Sequence, residues 1–464
     1  MGFIFAHPSL FLGLLLVLCL ENMFVMEWFW NDGSLPFSLS VTLYPSCSGA
    51  ALLAIALLAR KKTLPFARAE HYTAVTVFLA ISLFALAGSD LFPNQQPFPT
   101  VAILSVCFCA IALSAAMVSW LLLYVRMPMK TTLACLALAY SGSFLLSPLF
   151  ATLHPRWIII CLMGGGALLS AKSFKAADVL LSEPALEEER NSLTAESRKR
   201  APFPFRPIVA TGVLYAVTTF VQSLSAADAV LFMDAPGALL ALCLVAALAT
   251  RSGLVFMDLQ HVSLLLAVSA LLCVPLSNSW AMPASIALSL CASIVFLVFS
   301  ETLLCGICQR YSANAPWLLS LSLFALIPGS FLGITACELL REFATSQNSE
   351  TVLSSALIII VLALFLIFIT ESDVLNAWGM KSLDNDEIPL EHDLKIRAFE
   401  LSCQYGFTKR EEEICELLAQ GNNVADIAQL LVLSPATIKT HMAHIYKKMG
   451  VHSIQQFRTV FFDR

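Results

Sequence analysis

Apolar residues occur in long runs along most of the chain, and the runs are only briefly interrupted by polar segments. A run of about 20 apolar residues is long enough to cross a lipid bilayer as an α-helix. Twelve such spans are predicted, near residues 8–29, 38–59, 71–92, 100–124, 131–153, 156–171, 207–231, 235–250, 259–277, 281–304, 316–339 and 351–370. The pattern therefore predicts an all-α protein that is mostly a polytopic transmembrane helix bundle.

The composition supports this interpretation. The chain is 58% hydrophobic and 13% charged, with a mean hydropathy of +0.80, whereas soluble globular chains have about 45–50% apolar and about 25% charged residues. These values exclude a water-soluble enzyme. The membrane part also lacks a phosphate loop, a zinc signature or a catalytic triad, so we expect a protein that is not an enzyme and has no cofactor.

Basic residues are distributed unevenly around the predicted spans. If the N-terminus is cytoplasmic, all Lys and Arg residues before residue 371 fall in cytoplasmic loops except Arg156 and Arg341. Basic residues that flank spans are retained on the cytoplasmic side of a membrane. We therefore expect a multi-pass protein of the bacterial inner (cytoplasmic) membrane, with its N- and C-termini in the cytoplasm.

A charged segment divides the twelve spans into two groups of six. Residues 173–206 are interpreted as a cytoplasmic linker between the halves 1–172 and 207–371. This arrangement resembles the major facilitator superfamily, and the resemblance implies two helical halves around a cavity at the bilayer midplane. Residues 58–63, between the second and third spans, lack the Asp and Gly of the signature in that family, which argues against active transport.

Ionisable residues are rare within the spans. Because each is costly to bury in a bilayer, each is a candidate functional residue; they are Glu21, Asp90, Asp228, Glu301 and Glu338. Asp228 follows Gln222 on the same predicted span, and this polar stripe makes Gln222 and Asp228 the candidate ligand-binding residues. The alternative is that such groups lie at headgroup level or satisfy one another between helices.

The cysteines suggest no metal site or disulfide scaffold. The chain has 14 cysteines, scattered through apolar runs without the short even spacing of secreted scaffolds. Cys305 and Cys308 have the spacing of a redox or metal-binding pair but lack its strand-and-helix setting. Small buried thiols on a transmembrane helix are the favoured interpretation.

The composition changes after the last predicted span. Residues 371–464 contain 14 acidic and 10 basic residues, whereas the much longer region before them contains 18 and 17. Residues 372–399 are acidic and lack apolar periodicity, which predicts a tether. Residues 400–464 are predicted to form a soluble domain of four short helices.

Capping signals define these four helices. Thr408 and Glu411 form a capping box at the start of the first helix. Ser434 caps the third helix, Pro435 is its first residue and Gly450 follows its end. Two short helices, a tight turn and a longer capped helix are the layout of a helix-turn-helix, whose longer element enters the major groove of DNA.

The third helix of the tail has two distinct faces. Four residues on one side are apolar and are predicted to face the domain core: Ile438, Met442, Ile445 and Met449. The opposite side carries hydroxyl, imidazole and ammonium donors, which suit base edges and phosphates. Its members are Thr440, Ala443, His444 and Lys447, flanked by Lys439 and Lys448.

The tail resembles the DNA-binding domain of LuxR-type transcription regulators over the segments 407–414, 426–428, 434–441 and 447–451. The resemblance implies that Lys439 and Thr440 approach bases, and that Thr437, Lys447 and Lys448 approach the DNA backbone. It also implies that the last helix, Ser453–Phe461, pairs two copies as a homodimer on a two-fold DNA site. Residues 400–464 contain seven basic and seven acidic residues, so such pairing would compensate for a weakly charged monomer.

These observations lead to one main hypothesis. The chain is a one-component transcription regulator whose membrane bundle senses a small molecule and whose tail binds double-stranded promoter DNA. No phosphoacceptor domain fits between the last span and Phe407. The first alternative is a major-facilitator-like transporter whose DNA-binding tail reports or regulates flux, and the second is a membrane tether for DNA or proteins.

Overall fold

The computed structural model describes residues 7–25, 37–61, 69–91, 98–151, 156–181, 204–224, 227–249, 257–274, 276, 280–311, 314–343, 398, 401–402, 404–419, 422, 424–431, 433–451 and 454–462. Every helix or strand assigned in these ranges is an α-helix, as the sequence predicts. The chain divides into two units, Met1–Asp384 and Asn385–Arg464.

The first unit contains eleven helices within its described ranges, and each overlaps one of the first eleven predicted spans. They are α1 Ser9–Val25, α2 Phe37–Lys61, α3 Ala69–Leu91, α4 Phe98–Tyr124, α5 Met129–Ala151, α6 Arg156–Leu181, α7 Phe205–Ser223, α8 Ala227–Ala249, α9 Met257–Cys273, α10 Ala281–Tyr311 and α11 Ala315–Phe343. The twelfth predicted span, 351–370, and residues 372–397 of the predicted tether lie outside the described residues. The count of twelve stays a prediction.

Several of these helices match the thickness of a membrane. Within the described ranges, five helices contain apolar windows long enough to cross it: Leu43–Arg60, Ile103–Tyr124, Met129–Leu146, Ala281–Gln309 and Ala315–Leu339. Large apolar side chains also point outward from the bundle, including Leu57, Ile81, Leu169 and Leu265. An aqueous surface would not carry so much exposed apolar area, whereas hydrocarbon solvates it.

A chain of hydrogen bonds holds the first half, α1–α6, together. The Trp120 indole donates to the Tyr72 hydroxyl at 2.8 Å, and Tyr72 and Ser170 share a bond of 2.6 Å. Ser170 in turn donates to the carbonyl of Gly13 at 2.8 Å. The Phe174 ring stacks on Tyr72 with centroids 4.1 Å apart. Four helices, α1, α3, α4 and α6, are thereby joined with their buried polar atoms satisfied.

The second half, α7–α11, depends on a close approach of α7 and α11. The backbones meet at Gly212, Gly329 and Gly333, where a Cβ atom on Gly329 would overlap the carbonyl oxygen of Gly212. Small residues at membrane helix contacts allow this proximity. Hydroxyl pairs add bonds between α7 and α10, including Thr211 with Ser300 at 3.0 Å.

The halves contact each other through α5, which packs on α8 and α10, and through α2, which packs on α11. Two amide side chains bridge the halves. Gln309 Nε2 donates to the carbonyl of Met127 at 2.6 Å, and Asn314 Nδ2 donates to the carbonyl of Ala59 at 2.6 Å. Both donors and both acceptors lie in or beside connections at the same end of the bundle. This end is therefore closed by direct contacts between the halves.

Helix α6 continues to Leu181, into the segment 173–206 that the sequence analysis assigns to a linker. Asp178 in this extension accepts a hydrogen bond from the Arg126 guanidinium at 2.7 Å. Charged residues such as Lys172 end a hydrophobic run without ending a helix, since Lys and Arg are good helix formers. Residues 182–203 of the segment lie outside the described residues.

The second unit contains four helices with described bounds: α12 Lys409–Ala419, α13 Val424–Leu430, α14 Pro435–Met449 and α15 Ile454–Phe462. The four predicted helices are therefore present, and residues 398, 401–402 and 404–405 before them are also helical. Their apolar faces meet in one core made of Ile414, Leu418, Ile427, Ile438, Ile445, Phe457 and Phe461.

We expect Gly329→Ala to lower the midpoint of thermal unfolding of the purified full-length protein. The new methyl group forces α7 and α11 apart, and overpacking of this kind costs about 1–3 kcal/mol. Gly165→Ala is the matched control, because no atom lies within 4 Å of a Cβ at Gly165. Equal midpoints for the two variants would contradict the close approach.

Candidate nucleic-acid interface and interior polar pairs

Helix α12 begins with the predicted capping box. The amide of Thr408 donates to Glu411 Oε2 at 2.7 Å, and the amide of Glu411 donates to Thr408 Oγ1 at 3.3 Å. Two amides at the helix start, which have no partner in the helix itself, are satisfied reciprocally. The sequence signal and the observed geometry agree.

Helix α14 begins and ends where the sequence predicts. Ser434 Oγ accepts a hydrogen bond from the amide of Thr437 at 3.1 Å, and Pro435 is the first helical residue. Gly450 has a φ of 70° and its amide donates to the carbonyl of Tyr446. A left-handed conformation costs glycine little, so the helix stops there.

The two faces of α14 are those expected from its sequence. Ile438, Ile445 and Met449 are buried, and Met442 is half-buried against the core. The α14 outer face consists of five exposed residues, Lys439, Thr440, Ala443, His444 and Lys447. The domain core therefore contacts one side of α14, and the residues of the other side are exposed to solvent.

Thr437 and Thr440 are partly engaged within the helix. Thr437 is half-buried, and its hydroxyl shares a hydrogen bond of 2.8 Å with Ser434 Oγ. The Thr440 hydroxyl donates to the carbonyl of Ala436 at 3.1 Å. While its hydroxyl donates to Ala436, the Thr440 oxygen can still accept a hydrogen bond from another donor. Thr437, in contrast, mainly stabilises the start of α14.

Lys448 connects α14 to the first helix of the domain. Its ammonium donates to Glu411 Oε2 at 2.7 Å and to the carbonyl of Gly406 at 2.8 Å, and it lies 5.9 Å from the centroid of the Phe407 ring. Lys448 thus braces α12 against α14, in addition to its predicted position beside the DNA backbone. Its ammonium has one N–H beyond these two bonds.

Glu411 is the acceptor of this brace, and the sequence analysis did not foresee its second role. Its side chain is only 4% exposed, and its other oxygen lies 3.9 Å from His444 Nδ1. Burial opposes ionisation, but the hydrogen bonds from Lys448 and Thr408 outweigh it and lower the pKa of Glu411 below its ordinary 4.5. A charged carboxylate therefore joins the capping box to α14 through Lys448.

Comparison with known proteins agrees with this geometry. Residues 406–461 match the family described as bacterial regulatory proteins, luxR family. Residues 406–461 form a LuxR-type helix-turn-helix domain. Transcriptional regulatory protein UhpA of Escherichia coli (strain K12) is 43% identical over 56 residues, 12% of this chain and 29% of UhpA. Spore germination protein GerE of Bacillus subtilis (strain 168) is 39% identical over 49 residues, 11% of this chain and 66% of GerE.

The likeness to these regulators is confined to the LuxR-type domain. The chain spans 29% of the length of UhpA and 31% of the uncharacterized response regulatory protein YgeK of Escherichia coli (strain K12). Helix α14 is the longest helix with described bounds in this domain. The first unit of the chain, Met1–Asp384, lies outside this likeness.

The first unit, called the membrane unit from here on, resembles solved transporters. A bacterial homologue of the iron transporter ferroportin, outward-facing with soaked iron, aligns with a TM-score of 0.57 at 14% identity, covering 78% of this chain and 98% of that chain. XylE, a proton:xylose symporter of the major facilitator superfamily, aligns with a TM-score of 0.54 at 12% identity, covering 83% and 98%. At such identities the likeness shows the fold alone, a helical bundle like that of these transporters.

The predicted ligand residues do not share one helix. Gln222 lies near the end of α7, whereas Asp228 lies in the first turn of α8 and its side chain is outside the described residues. Gln222 Nε2 instead donates to Asp234 Oδ1 at 3.3 Å. Asp234 is fully buried and was not among the acidic residues that the sequence analysis selected. The seventh predicted span ran through the break between α7 and α8.

Other intramembrane acids separate into interior and surface groups. Glu301 is 2% exposed and accepts a hydrogen bond from the Tyr140 hydroxyl at 2.6 Å, so it joins α10 to α5. Glu21 on α1 is half-buried, and Glu338 on α11 is exposed. The side chain of Asp90 lies outside the described residues. Two interior polar pairs result, Tyr140 with Glu301 and Gln222 with Asp234.

The cysteine pair of α10 contributes to packing. Cys305 and Cys308 are both buried free thiols, as the favoured interpretation of the sequence expects. Within the described ranges, no group of three or more His, Cys, Asp or Glu residues could hold a metal ion. These thiols fill space between α10 and its neighbours.

We expect Glu411→Gln to destabilise the LuxR-type domain by about 1–3 kcal/mol, because it removes a buried charge that accepts from Lys448 and Thr408. Hydrogen exchange of the α12 and α14 amides in the full-length protein would show the loss as faster exchange. Glu413→Gln is the matched control, since the Glu413 side chain is 51% exposed in its ion pair with Arg410 and such pairs contribute about 0–1 kcal/mol.

The same variant gives a pH signature. The pKa of Glu411 is lowered in the folded domain, so its contribution is present above pH 4.5 and is lost as the pH falls through the lowered value. The protection of wild-type α12 and α14 amides from hydrogen exchange should therefore decline as the pH falls through the lowered pKa. The protection of the same amides in Glu411→Gln should change less over this pH range. Identical pH profiles would refute a charged Glu411.

Proposed function

We propose that the chain is a one-component transcription regulator embedded in the membrane. Its major facilitator bundle senses a small molecule, and its LuxR-type domain binds double-stranded promoter DNA. The observation that carries this proposal is an intact helix-turn-helix, with a fully exposed donor face on α14, fused to a transporter-like bundle. Fusion of the two parts in one chain connects an event in the bilayer to the chromosome without a second protein.

The α14 outer face supports a division of roles in DNA recognition. Lys439 and Thr440 are exposed near the start of α14, the end that enters the major groove in helix-turn-helix proteins. Lys447 is exposed near its end, where an ammonium neutralises a backbone phosphate. Ala443 offers a methyl group of the kind that contacts thymine.

A homodimer completes DNA binding in this proposal. The domain has equal numbers of acidic and basic residues, so one copy gains little from the phosphate charge. Pairing of two copies through the segment Ser453–Phe461 doubles the contacts on a two-fold site. Ile454 supports this surface, because its apolar side chain on α15 is 39% exposed.

The chain is placed in the bacterial inner membrane with both termini cytoplasmic. The concentration of Lys and Arg in loops on one side of the spans supports this orientation. A DNA-binding domain also reaches chromosomal DNA only in the cytoplasm. The closed end of the bundle, with Gln309 and Asn314, is then the cytoplasmic end. A ligand that favours one arrangement of the halves over another changes this end and, through it, the tail.

A transporter with a regulatory DNA-binding tail is the second candidate. The observation that favours it is the alignment of the membrane unit with nearly the whole length of solved transporters, 98% of each. One fold can serve either transport or sensing, so the fold alone does not distinguish the two candidate functions.

Substitution of lysines on α14 tests DNA binding. Genomic footprinting of the full-length protein would supply a target fragment, and binding would be measured against salt. We expect Lys439→Ala to lose about 1–3 kcal/mol at its specific site. Lys447→Ala should weaken binding at all sequences and reduce the salt slope by about 0.9, the value of one phosphate contact.

Lys409→Ala is the control for these variants, because Lys409 is an exposed lysine on α12 and not on α14. It removes the same charge from the domain and should leave binding nearly unchanged. Loss of binding that is equal in all three variants would point to net charge and refute the α14 assignment.

Transcription and uptake can be measured on the same cells to separate the two candidate functions. We expect a fraction of cell extract to change expression from a footprinted promoter in cells that carry the protein, with no gradient-dependent accumulation of that fraction in vesicles. Accumulation that depends on an ion gradient, with unchanged expression, would establish the transporter instead.

A further inference from the structure

Glu301 lies in the contact between the two halves of the bundle. It is on α10, within the apolar window Ala281–Gln309, and it is 2% exposed. Its Oε1 accepts a hydrogen bond of 2.6 Å from the hydroxyl of Tyr140, a buried residue of α5. Because α5 belongs to the first half and α10 to the second, this bond joins the halves in the interior of the membrane unit.

Glu301 shares one face of α10 with two other residues that bond to the first half. The Cys305 thiol donates to the carbonyl of Leu121 at 3.9 Å, and Gln309 donates to the carbonyl of Met127 at 2.6 Å. Positions four residues apart lie above one another on an α-helix. Glu301, Cys305 and Gln309 therefore form one row, which we call the α10 seam. Along this seam, Glu301 lies about 12 Å from Gln309 at the closed end.

One oxygen of Glu301 has no donor within the described structure. Tyr140 donates to Oε1, whereas Oε2 has no hydrogen bond and is buried from solvent. An isolated carboxylate is among the most costly groups to bury, and native proteins leave few buried polar atoms unpaired. We therefore expect a bound group, and not a described side chain, to complete this oxygen.

The surroundings of Glu301 provide no positive charge. Among the described side chains of the membrane unit, no Lys, Arg or His is buried. The titratable groups that face Glu301 are Tyr140 on α5, Tyr124 on α4, Glu21 on α1 and Cys305 on α10 itself. These groups are neutral or negatively charged. In the described parts of α7, α8, α9 and α11, no titratable group is among those that act on Glu301.

A proton is the bound group that fits this oxygen. A metal ion needs several oxygen ligands at once, and the described residues contain no group that could hold one. An organic cation needs space beside the carboxylate, whereas a proton needs none. A proton on Oε2 removes the charge and leaves the bond from Tyr140 to Oε1 intact. The neutral O–H group that results is much less costly to bury than a charge.

We propose that Glu301 is a proton-binding site and that the closed α10 seam requires its proton. When the proton passes to water, Glu301 becomes a buried carboxylate with one hydrogen bond. Separation of α10 from α5 then lets water supply the missing donors. The proton thus favours contact between the halves, and its loss favours their separation. This inference goes beyond the proposed function, because it holds whether the bundle senses a molecule or transports one.

Hydrogen exchange of the purified full-length protein in nanodiscs of phosphatidylcholine tests this inference. The measured amides are those of residues 124–130 and 306–311, which include the bridge from Gln309 to Met127. The rates are corrected for the intrinsic effect of pH on amide exchange. We expect full protection at low pH. Above the titration of Glu301, protection should fall by about ten-fold per pH unit, the slope expected for one proton.

Glu301→Gln imitates the protonated carboxyl group, because its amide is uncharged and keeps an oxygen for Tyr140. We expect the closed end of this variant to stay protected as the pH rises. Tyr140→Phe removes the donor to Oε1 but keeps the titrating group, so protection should fall at every pH while its pH dependence remains. Glu338→Gln is the matched control, because Glu338 is an exposed acid on α11. It should behave like the wild type.

Infrared spectra of the same samples detect the proton directly. We expect the carbonyl band of a protonated carboxyl group in the wild type at neutral pH, and its loss in Glu301→Gln. The band should shift in Tyr140→Phe, because Tyr140 donates to the carbonyl oxygen Oε1. If Glu301→Gln fails to fold, as judged by circular dichroism, this shift still identifies Glu301.

Four results would overturn the inference. They are corrected exchange at the closed end that does not change with pH, a wild-type pH dependence in Glu301→Gln, loss of that dependence in Glu338→Gln, and a carboxyl band that responds to neither Glu301→Gln nor Tyr140→Phe. None of these measurements needs DNA or a transported molecule, so they leave the proposed function to its own tests.

Discussion

Hydrocarbon provides no hydrogen-bond partners, so every polar atom buried in a membrane bundle has to be satisfied by the protein or by something bound to it. This constraint explains most of the interior of the first unit. The Trp120 indole, the Tyr72 hydroxyl and Ser170 pass hydrogen bonds from helix to helix until the Gly13 carbonyl accepts the last one. Where α7 and α11 pack closely, glycine removes side chains altogether. Among the described residues, the buried atoms that depart from this rule include Ser141 Oγ, Asp234 Oδ2, Gln260 Oε1 and Glu301 Oε2.

The LuxR-type domain depends on different interactions, because water surrounds it and its hydrophobic core is small. Its helices are short, and their ends are fixed individually by Thr408, Ser434 and Gly450. Glu411 then unites two of these helices, since one carboxylate completes the capping box and accepts from Lys448. The outer face of α14 is thereby held at a defined angle to the rest of the domain without using the residues that the LuxR resemblance assigns to bases.

Sequence reasoning predicted the features that depend on neighbouring residues. Long apolar runs predicted eleven helices that the structure contains, and local capping signals predicted the bounds of α14. The buried residues Ile438 and Ile445 followed from helical periodicity. Features that depend on residues distant in sequence were not predicted. Asp234 was overlooked because it falls between the predicted spans 207–231 and 235–250, whereas α8 begins at Ala227 and includes it. Glu411 was assigned a single role because Lys448 approaches it only after folding.

The amide bridges of Gln309 and Asn314 have an evolutionary consequence. Their acceptors are the main-chain carbonyls of Met127 and Ala59, which every amino acid possesses. Replacement of either acceptor residue leaves the bond available, whereas replacement of either amide abolishes it. Mutations can therefore remove these two bridges between the halves mainly at the codons of Gln309 and Asn314.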